Sequence, residues 1–300
     1  MRPFFVIGPP KTGTTVFTRL LVQHPEVDSL SEAFLAAPED PSSLLALRNA
    51  KAAGHGFTAD QVAAWREFAL RDGPHPSSAT LRLLVEQVFD AFSGGRPLAA
   101  IGDSWPFWLD YAQVLLDAFP EATFFYTTRD PRAVYLATDP RGRDRRAEFL
   151  DWLLVRDRIF HRHFANDPRV HVVRYESLVA DPLGTMGAAW TFLGVDPAAG
   201  WIDYDPARDA HPGRWSWIPN ATAPLDPSRV ASWESRLPEA DRVPVALASR
   251  AYARRWGYPD EVPGAVGAAD RVRAFLLGAE LADLPPGTEG YVRTVLRRMQ

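Results

Sequence analysis

The stretch Phe4-Phe5-Val6-Ile7-Gly8-Pro9-Pro10-Lys11-Thr12-Gly13-Thr14-Thr15 constrains this chain more than any other. Four apolar residues run into a turn rich in Gly and Pro. Val16, Phe17, Leu20 and Leu21 then recur at helical spacing. The reading is strand, tight loop, helix. Such a loop aims backbone N–H groups and the positive end of a helix at one spot, which suits a phosphate. Gly8 and Gly13 stand at the spacing of a phosphate-binding loop, G-x-x-x-x-G. In a nucleoside triphosphatase a lysine follows the second glycine. Here that place is Thr14, and the loop's only lysine, Lys11, comes two residues before Gly13. The loop keeps its phosphate-binding capacity, but its cation has moved. An ordinary strand-to-helix turn is the competing reading, and it gives Gly8, Gly13 and Lys11 no shared purpose.

Further strands are expected at 97–101, 122–128 and 170–175. The second of these is rich in aromatic and β-branched residues, from Thr123 to Thr128. Helices are expected near 42–52, 59–71, 77–92, 107–118, 131–138 and 147–165, then from Pro182 to a stop at Gly194, and near 239–255, 267–281 and 286–299. Leu81, Leu84, Val85, Val88, Phe89 and Phe92 give the third a clear apolar stripe. Strands alternating with helices predict an α/β fold, a phosphate-loop parallel sheet flanked by helices with a helical C-terminal tail. Ligands of such sheets sit beyond the C-terminal strand ends. Each strand here ends in polar residues: Lys11 and Thr12, Asp103 and Ser104, Arg129, then Tyr175 and Glu176. One domain over 1–300 is expected, with a helical insertion at about 41–95 and an irregular segment, rich in Trp and Pro, at 200–235.

Composition removes several classes of function. The net charge of −4 gives no global basic field for nucleic acid. The absence of cysteine excludes disulfides and zinc–thiolate sites and fits a reducing cytoplasm. No run of 18 apolar residues occurs, so no membrane span is expected, and the N-terminus does not read as a signal peptide. His161 and His163 lie two apart on an expected helix and face different ways, so no metal is expected there.

Several motifs together resemble a known family. Pro10-Lys11-Thr12-Gly13-Thr14-Thr15 is similar to the 5′-phosphosulfate loop of sulfotransferases that use 3′-phosphoadenosine 5′-phosphosulfate (PAPS). Arg129-Asp130-Pro131-Arg132-Ala133-Val134 resembles their 3′-phosphate motif. Arg174-Tyr175-Glu176-Ser177-Leu178, with Asp181-Pro182 and Phe192-Leu193-Gly194, resembles the strand and helix that follow in bacterial members. The likeness runs over roughly 3–258, in order.

The resemblance implies a sulfotransferase that releases adenosine 3′,5′-bisphosphate. Its acceptor would be the hydroxyl or amine of a small molecule or carbohydrate. Lys11 is the implied catalytic cation, and Thr12, Gly13, Thr14 and Thr15 the implied holders of the 5′-phosphate. Arg129 is the implied 3′-phosphate ligand, or else a surface ion pair. The family's serine eight positions on is Ala137 here, and Thr138 stands next as a substitute. Gly102-Asp103-Ser104-Trp105-Pro106 resembles the Gly-Glu-Lys-Thr-Pro segment whose acid serves as base, which makes Asp103 the candidate base; its alternative is to cap the helix that follows. Tyr175 either stacks on adenine or packs in the core. Arg214 or Arg229 could add a second 3′-phosphate contact, Arg132 is expected to face solvent, and Trp105, Trp108, Trp215 and Trp217 either line an acceptor pocket or fill the core. The rival functions are a small-molecule kinase and a non-catalytic nucleotide binder on the same fold. The acceptor and the oligomeric state are not legible.

Overall fold

The computed structural model describes residues 1–33, 53–69, 71, 76–137, 142, 144–216, 218, 221–283, 285, 288 and 292. The elements run β1 (Arg2–Val6), α1 (Thr14–Leu21), β2 (Val27–Ser31), α2 (Ala59–Ala69), α3 (Ser78–Ser93) and β3 (Ala100–Ser104). A 3-10 turn at Pro106–Tyr111 leads into α4 (Ala112–Ala118), then β4 (Thr123–Thr128), α5 (Pro131–Tyr135), α6 (Arg146–His163) and β5 (Val170–Arg174). α7 (Tyr175–Ala180), α8 (Pro182–Leu193), α9 (Ser228–Ala231), α10 (Trp233–Arg236), α11 (Glu239–Trp256) and α12 (Ala268–Leu276) follow. The helices expected near 42–52 and 286–299 lie outside the described residues, apart from Thr288 and Val292.

The expected α/β fold is present as a parallel five-stranded sheet flanked by helices, in the order β2-β3-β1-β4-β5. β1 is central, with Val6 level with Ser104 on one side and Phe125 on the other. From β1 the chain travels outward past β3 to β2, returns to β3, then crosses to β4. That reversal marks the C-terminal end of β1 as the place where sheets of this kind bind ligands.

The described chain gathers into two compact units. The first comprises Met1–Gly8, Gly13–Thr127 and Arg162–Leu225 and holds the sheet. Both faces of β1 are buried, as a central parallel strand requires. Phe5 packs against the rings of Trp108, Phe119 and Phe124, while Phe4 on the other face meets Phe125. The apolar stripe of α3 is buried as its spacing predicts, and the helix stops at Gly94, whose φ of 57° suits glycine.

β2 is a strand that the sequence pattern does not announce. Three of its residues, Val-Asp-Ser-Leu-Ser, are polar, yet all five are buried. The polarity is satisfied from afar. Arg214, itself fully buried, meets Asp28 at 2.6 Å and Asp209 at 2.6 Å. Arg96 reaches the other oxygen of Asp28 at 2.6 Å. Burial alone would push the Asp28 carboxyl up, but the Arg214 and Arg96 guanidiniums outweigh it and hold the pKa below its ordinary value.

The second unit comprises Pro9–Thr12, Thr128–His161 and Asp226–Gln300. Val134, Phe149, Leu150, Leu153, Val245 and Tyr252 form its core, drawn from α5, α6 and α11. A buried carboxylate ties α6 to the end of α11: Asp157 accepts from the Trp256 indole at 2.7 Å and pairs with Arg255. Among the described residues no helix is long and apolar enough to cross a membrane.

Candidate functional site

The lysine-bearing turn and the expected 3′-phosphate arginine both belong to the second unit. Thr12 Oγ1 donates to the Pro9 carbonyl at 2.6 Å and closes the turn. Lys11 at its apex has a φ of 70°, a left-handed backbone uncommon for a residue with a Cβ. Its ammonium sits 4.7 Å from the centroid of the Phe149 ring on α6, a cation–π contact. Arg129 follows β4 directly, and its Nη1 donates to the Lys11 carbonyl at 3.2 Å. Its Nη2 donates to the Arg229 carbonyl at 3.1 Å. The Tyr252 hydroxyl accepts from the Arg129 N–H at 3.3 Å and donates to the Arg129 carbonyl at 3.2 Å, so both backbone and guanidinium are held.

The neighbouring residues have local tasks. Asp130 caps α5 through the Arg132 N–H, at 2.9 Å. Arg132 does not face solvent as expected: it pairs with Asp130 at 2.6 Å and stacks 3.6 Å over the Trp233 ring. Arg214 is committed to Asp28 and Asp209 in the buried network of the first unit, so its donors are spent on the fold. Arg229 is exposed and pairs with Asp226 at 3.2 Å. Thr138 and Trp217 lie outside the described residues, and Trp105, Trp108 and Trp215 are buried.

The remainder of the loop belongs to the first unit. Gly13 has a φ of 100°, and a Cβ added there would lie 2.6 Å from Cδ2 of Tyr175. The buried Tyr175 ring therefore lies directly against the loop. At Gly8 a Cβ would meet Thr127 Oγ1 at 1.9 Å, so the loop leaves β1 tight against β4. α1 begins at Thr14 with no side-chain cap, which leaves first-turn N–H groups for an anion. Thr14 is buried and Thr15 half-buried in that turn. These features fit a phosphate: a left-handed glycine turn that opens the helix, and first-turn donors without a side-chain cap. Gly13→Ala is expected to cost about 2 kcal/mol in stability through strain and overpacking, read by denaturant titration, together with a loss of nucleotide binding.

Two carboxylates stand at the C-terminal edge of the sheet. Asp103, near the end of β3, is fully buried, with Oδ2 accepting from the Trp108 indole at 2.9 Å and Oδ1 from the Ala33 N–H at 3.4 Å. The following 3-10 turn has no side-chain cap, so Asp103 does not cap it. Glu32, just past β2, is half-buried and has a φ of 55°. Its N–H donates to the Ser104 carbonyl at 2.8 Å. Sequence reasoning passes over Glu32 because the strand before it carries no strand signature. Among the described residues no group of three or more His, Cys, Asp or Glu side chains is disposed to hold a metal ion.

Over residues 3–199 the sequence matches the profile of the sulfotransferase family. No curated protein matches it. The structure is similar to the sulfotransferase domain from the Synechococcus PCC 7002 olefin synthase, at 18% identity, 93% of this chain, 96% of that chain and a TM-score of 0.55. It is also similar to the sulfotransferase domain from the curacin biosynthetic pathway, at 15% identity, 95% of this chain, 99% of that chain and a TM-score of 0.54. At such identities the likeness speaks for the fold alone.

Proposed function

This chain belongs to the sulfotransferase family, and we propose that it moves a sulfuryl group from PAPS to a hydroxyl or amine of a small-molecule or carbohydrate acceptor. The observation that carries the donor assignment is the bond from the Arg129 guanidinium to the Lys11 carbonyl. It keeps a cation suited to the 5′ end and a fork suited to the 3′-phosphate side by side in one unit. A guanidinium recognises a phosphate bidentately, and the 3′-phosphate is what separates this nucleotide from ATP.

Bound PAPS supplies an activated sulfuryl group whose leaving group is a phosphate, a weak base that needs no metal to depart. Lys11 balances the negative charge that grows on the bridging oxygen as the S–O bond to that phosphate breaks. Gly13, the N–H groups of Thr12 to Thr15 and the hydroxyls of Thr14 and Thr15 hold the 5′-phosphate. Thr138 is the hydroxyl proposed beside Arg129 at the 3′-phosphate. Tyr175 supports the loop at Gly13, and its ring is also the one proposed for adenine. A carboxylate takes the acceptor's proton as the acceptor atom bonds to sulfur.

Asp103 and Glu32 are the two candidates for that carboxylate, and burial favours Glu32. A base must come within about 3 Å of the proton it removes. Asp103 is wholly enclosed, with both oxygens engaged, whereas Glu32 is only half-buried.

Thermal unfolding with added nucleotide tests the reading against a kinase. Adenosine 3′,5′-bisphosphate is expected to raise the melting temperature more than ATP with Mg2+. The reverse order would favour the kinase.

A further inference from the structure

We infer that Asp103 is a positioning residue: it locks the left-handed turn that presents Glu32. The inference rests on the reading of this site as a sulfuryl-transfer centre with Glu32 as its base.

Among the described residues only Lys11 and Glu32 combine a side chain with a positive φ, of 70° and 55°. Such a backbone is unfavourable for any residue with a Cβ and persists where the surroundings dictate it. At Lys11 the surroundings are the phosphate loop. At Glu32 they are the last two residues of β3. The β2–β3 ladder ends at the pair Ser31 and Ser104. Beyond it, the Glu32 N–H is held by the Ser104 carbonyl at 2.8 Å and the Ala33 N–H by Asp103 Oδ1 at 3.4 Å. These two N–H groups flank the Glu32 Cα, so fixing both fixes the turn.

Asp103 is itself anchored. Trp108 donates to its second oxygen at 2.9 Å, and the Trp108 ring packs edge-on against Phe5 of β1, with centroids 5.2 Å apart. A carboxylate is costly to bury unless its oxygens are used. Here they join a rigid indole on one side to the Glu32 turn on the other. Asparagine at this position keeps one accepting oxygen and turns the other group into a donor, so it cannot serve both N–H groups. Asp103 thus acts on the reaction through Glu32 and not on the acceptor directly.

A double-mutant cycle on the full chain tests the clamp, with wild type, E32G, D103N and the double variant compared by thermal unfolding. Glycine relieves the left-handed backbone, so E32G is expected to raise the melting temperature by about 2 °C. In the D103N background the turn relaxes, and the same change is expected to add less than half of that. Equal shifts in both backgrounds would overturn the inference. If D103N does not fold, Trp108→Phe, which removes only the indole bond, takes its place in the cycle.

The same four proteins are then assayed for release of adenosine 3′,5′-bisphosphate from PAPS with water as acceptor. E32G is expected to slow release at least about 100-fold. D103N is expected to slow it about tenfold or more, with the double variant no slower than E32G alone. E32G turning over like wild type while D103N does not would make Asp103 the base and contradict the positioning role. No release above background from any of the four would count against the sulfuryl-transfer reading, while the melting temperatures would still decide the clamp.

Discussion

Arg129→Ala is expected to weaken binding of adenosine 3′,5′-bisphosphate by about 100-fold or more while leaving adenosine 5′-phosphate affinity within a few-fold of wild type. A hydrogen bond to a charged group contributes about 1.5–3 kcal/mol, and a guanidinium facing a phosphate makes two. The Arg129 side chain is half-buried and its backbone is bracketed by the Tyr252 hydroxyl, so little ordering remains to be done when a ligand arrives. Arg129→Lys should recover only part of the loss, because an ammonium cannot reproduce the planar fork. Calorimetric titration of the three proteins with both nucleotides measures these differences. Were Arg129→Ala to weaken both nucleotides equally, the arginine would be supporting the Lys11 turn rather than reading the 3′-phosphate.

Lys11→Ala is expected to reduce turnover by about 100- to 1000-fold, the scale for removing one preorganised group that meets developing charge. Nucleotide affinity should fall far less, by about tenfold or under, because the loop N–H groups remain. That split between turnover and binding is the signature of a group used mainly in the transition state. The contact of its ammonium with the Phe149 ring agrees with such a role, since it places the cation before any ligand binds. Release of adenosine 3′,5′-bisphosphate from PAPS gives the rate, and calorimetry gives the affinity. If both fall together by the same factor, Lys11 binds the donor without favouring its reaction.

The glycine-bearing turn after β1, four of the five strands and most of the described helices are legible because each has a local cause. Gly8 and Gly13 are needed where a Cβ would strike Thr127 or Tyr175, and the α3 stripe records a buried face. β2 was not legible, because its fitness for the sheet depends on a partner far away in sequence. Asp28 becomes a strand residue only when Arg214 is there to meet it. The same holds at the site. Asp103 can be read as an acid at a strand end, but its burial and its Trp108 bond come from packing. The positive φ of Glu32 has no sequence mark, since Gly or Asn would advertise such a turn and Glu does not. Arg132 reads in the sequence as a surface arginine because the ring that covers it, Trp233, follows about a hundred residues later.

On the proposed function, one adenine nucleotide is held by both of its phosphates, with Lys11 at one end and Arg129 at the other. Titration of the wild-type chain with adenosine 3′,5′-bisphosphate and with adenosine 5′-phosphate, side by side in one buffer, measures this two-ended grip. The bisphosphate is expected to bind at least about 100-fold more tightly. Equal affinity for the two would contradict the claim.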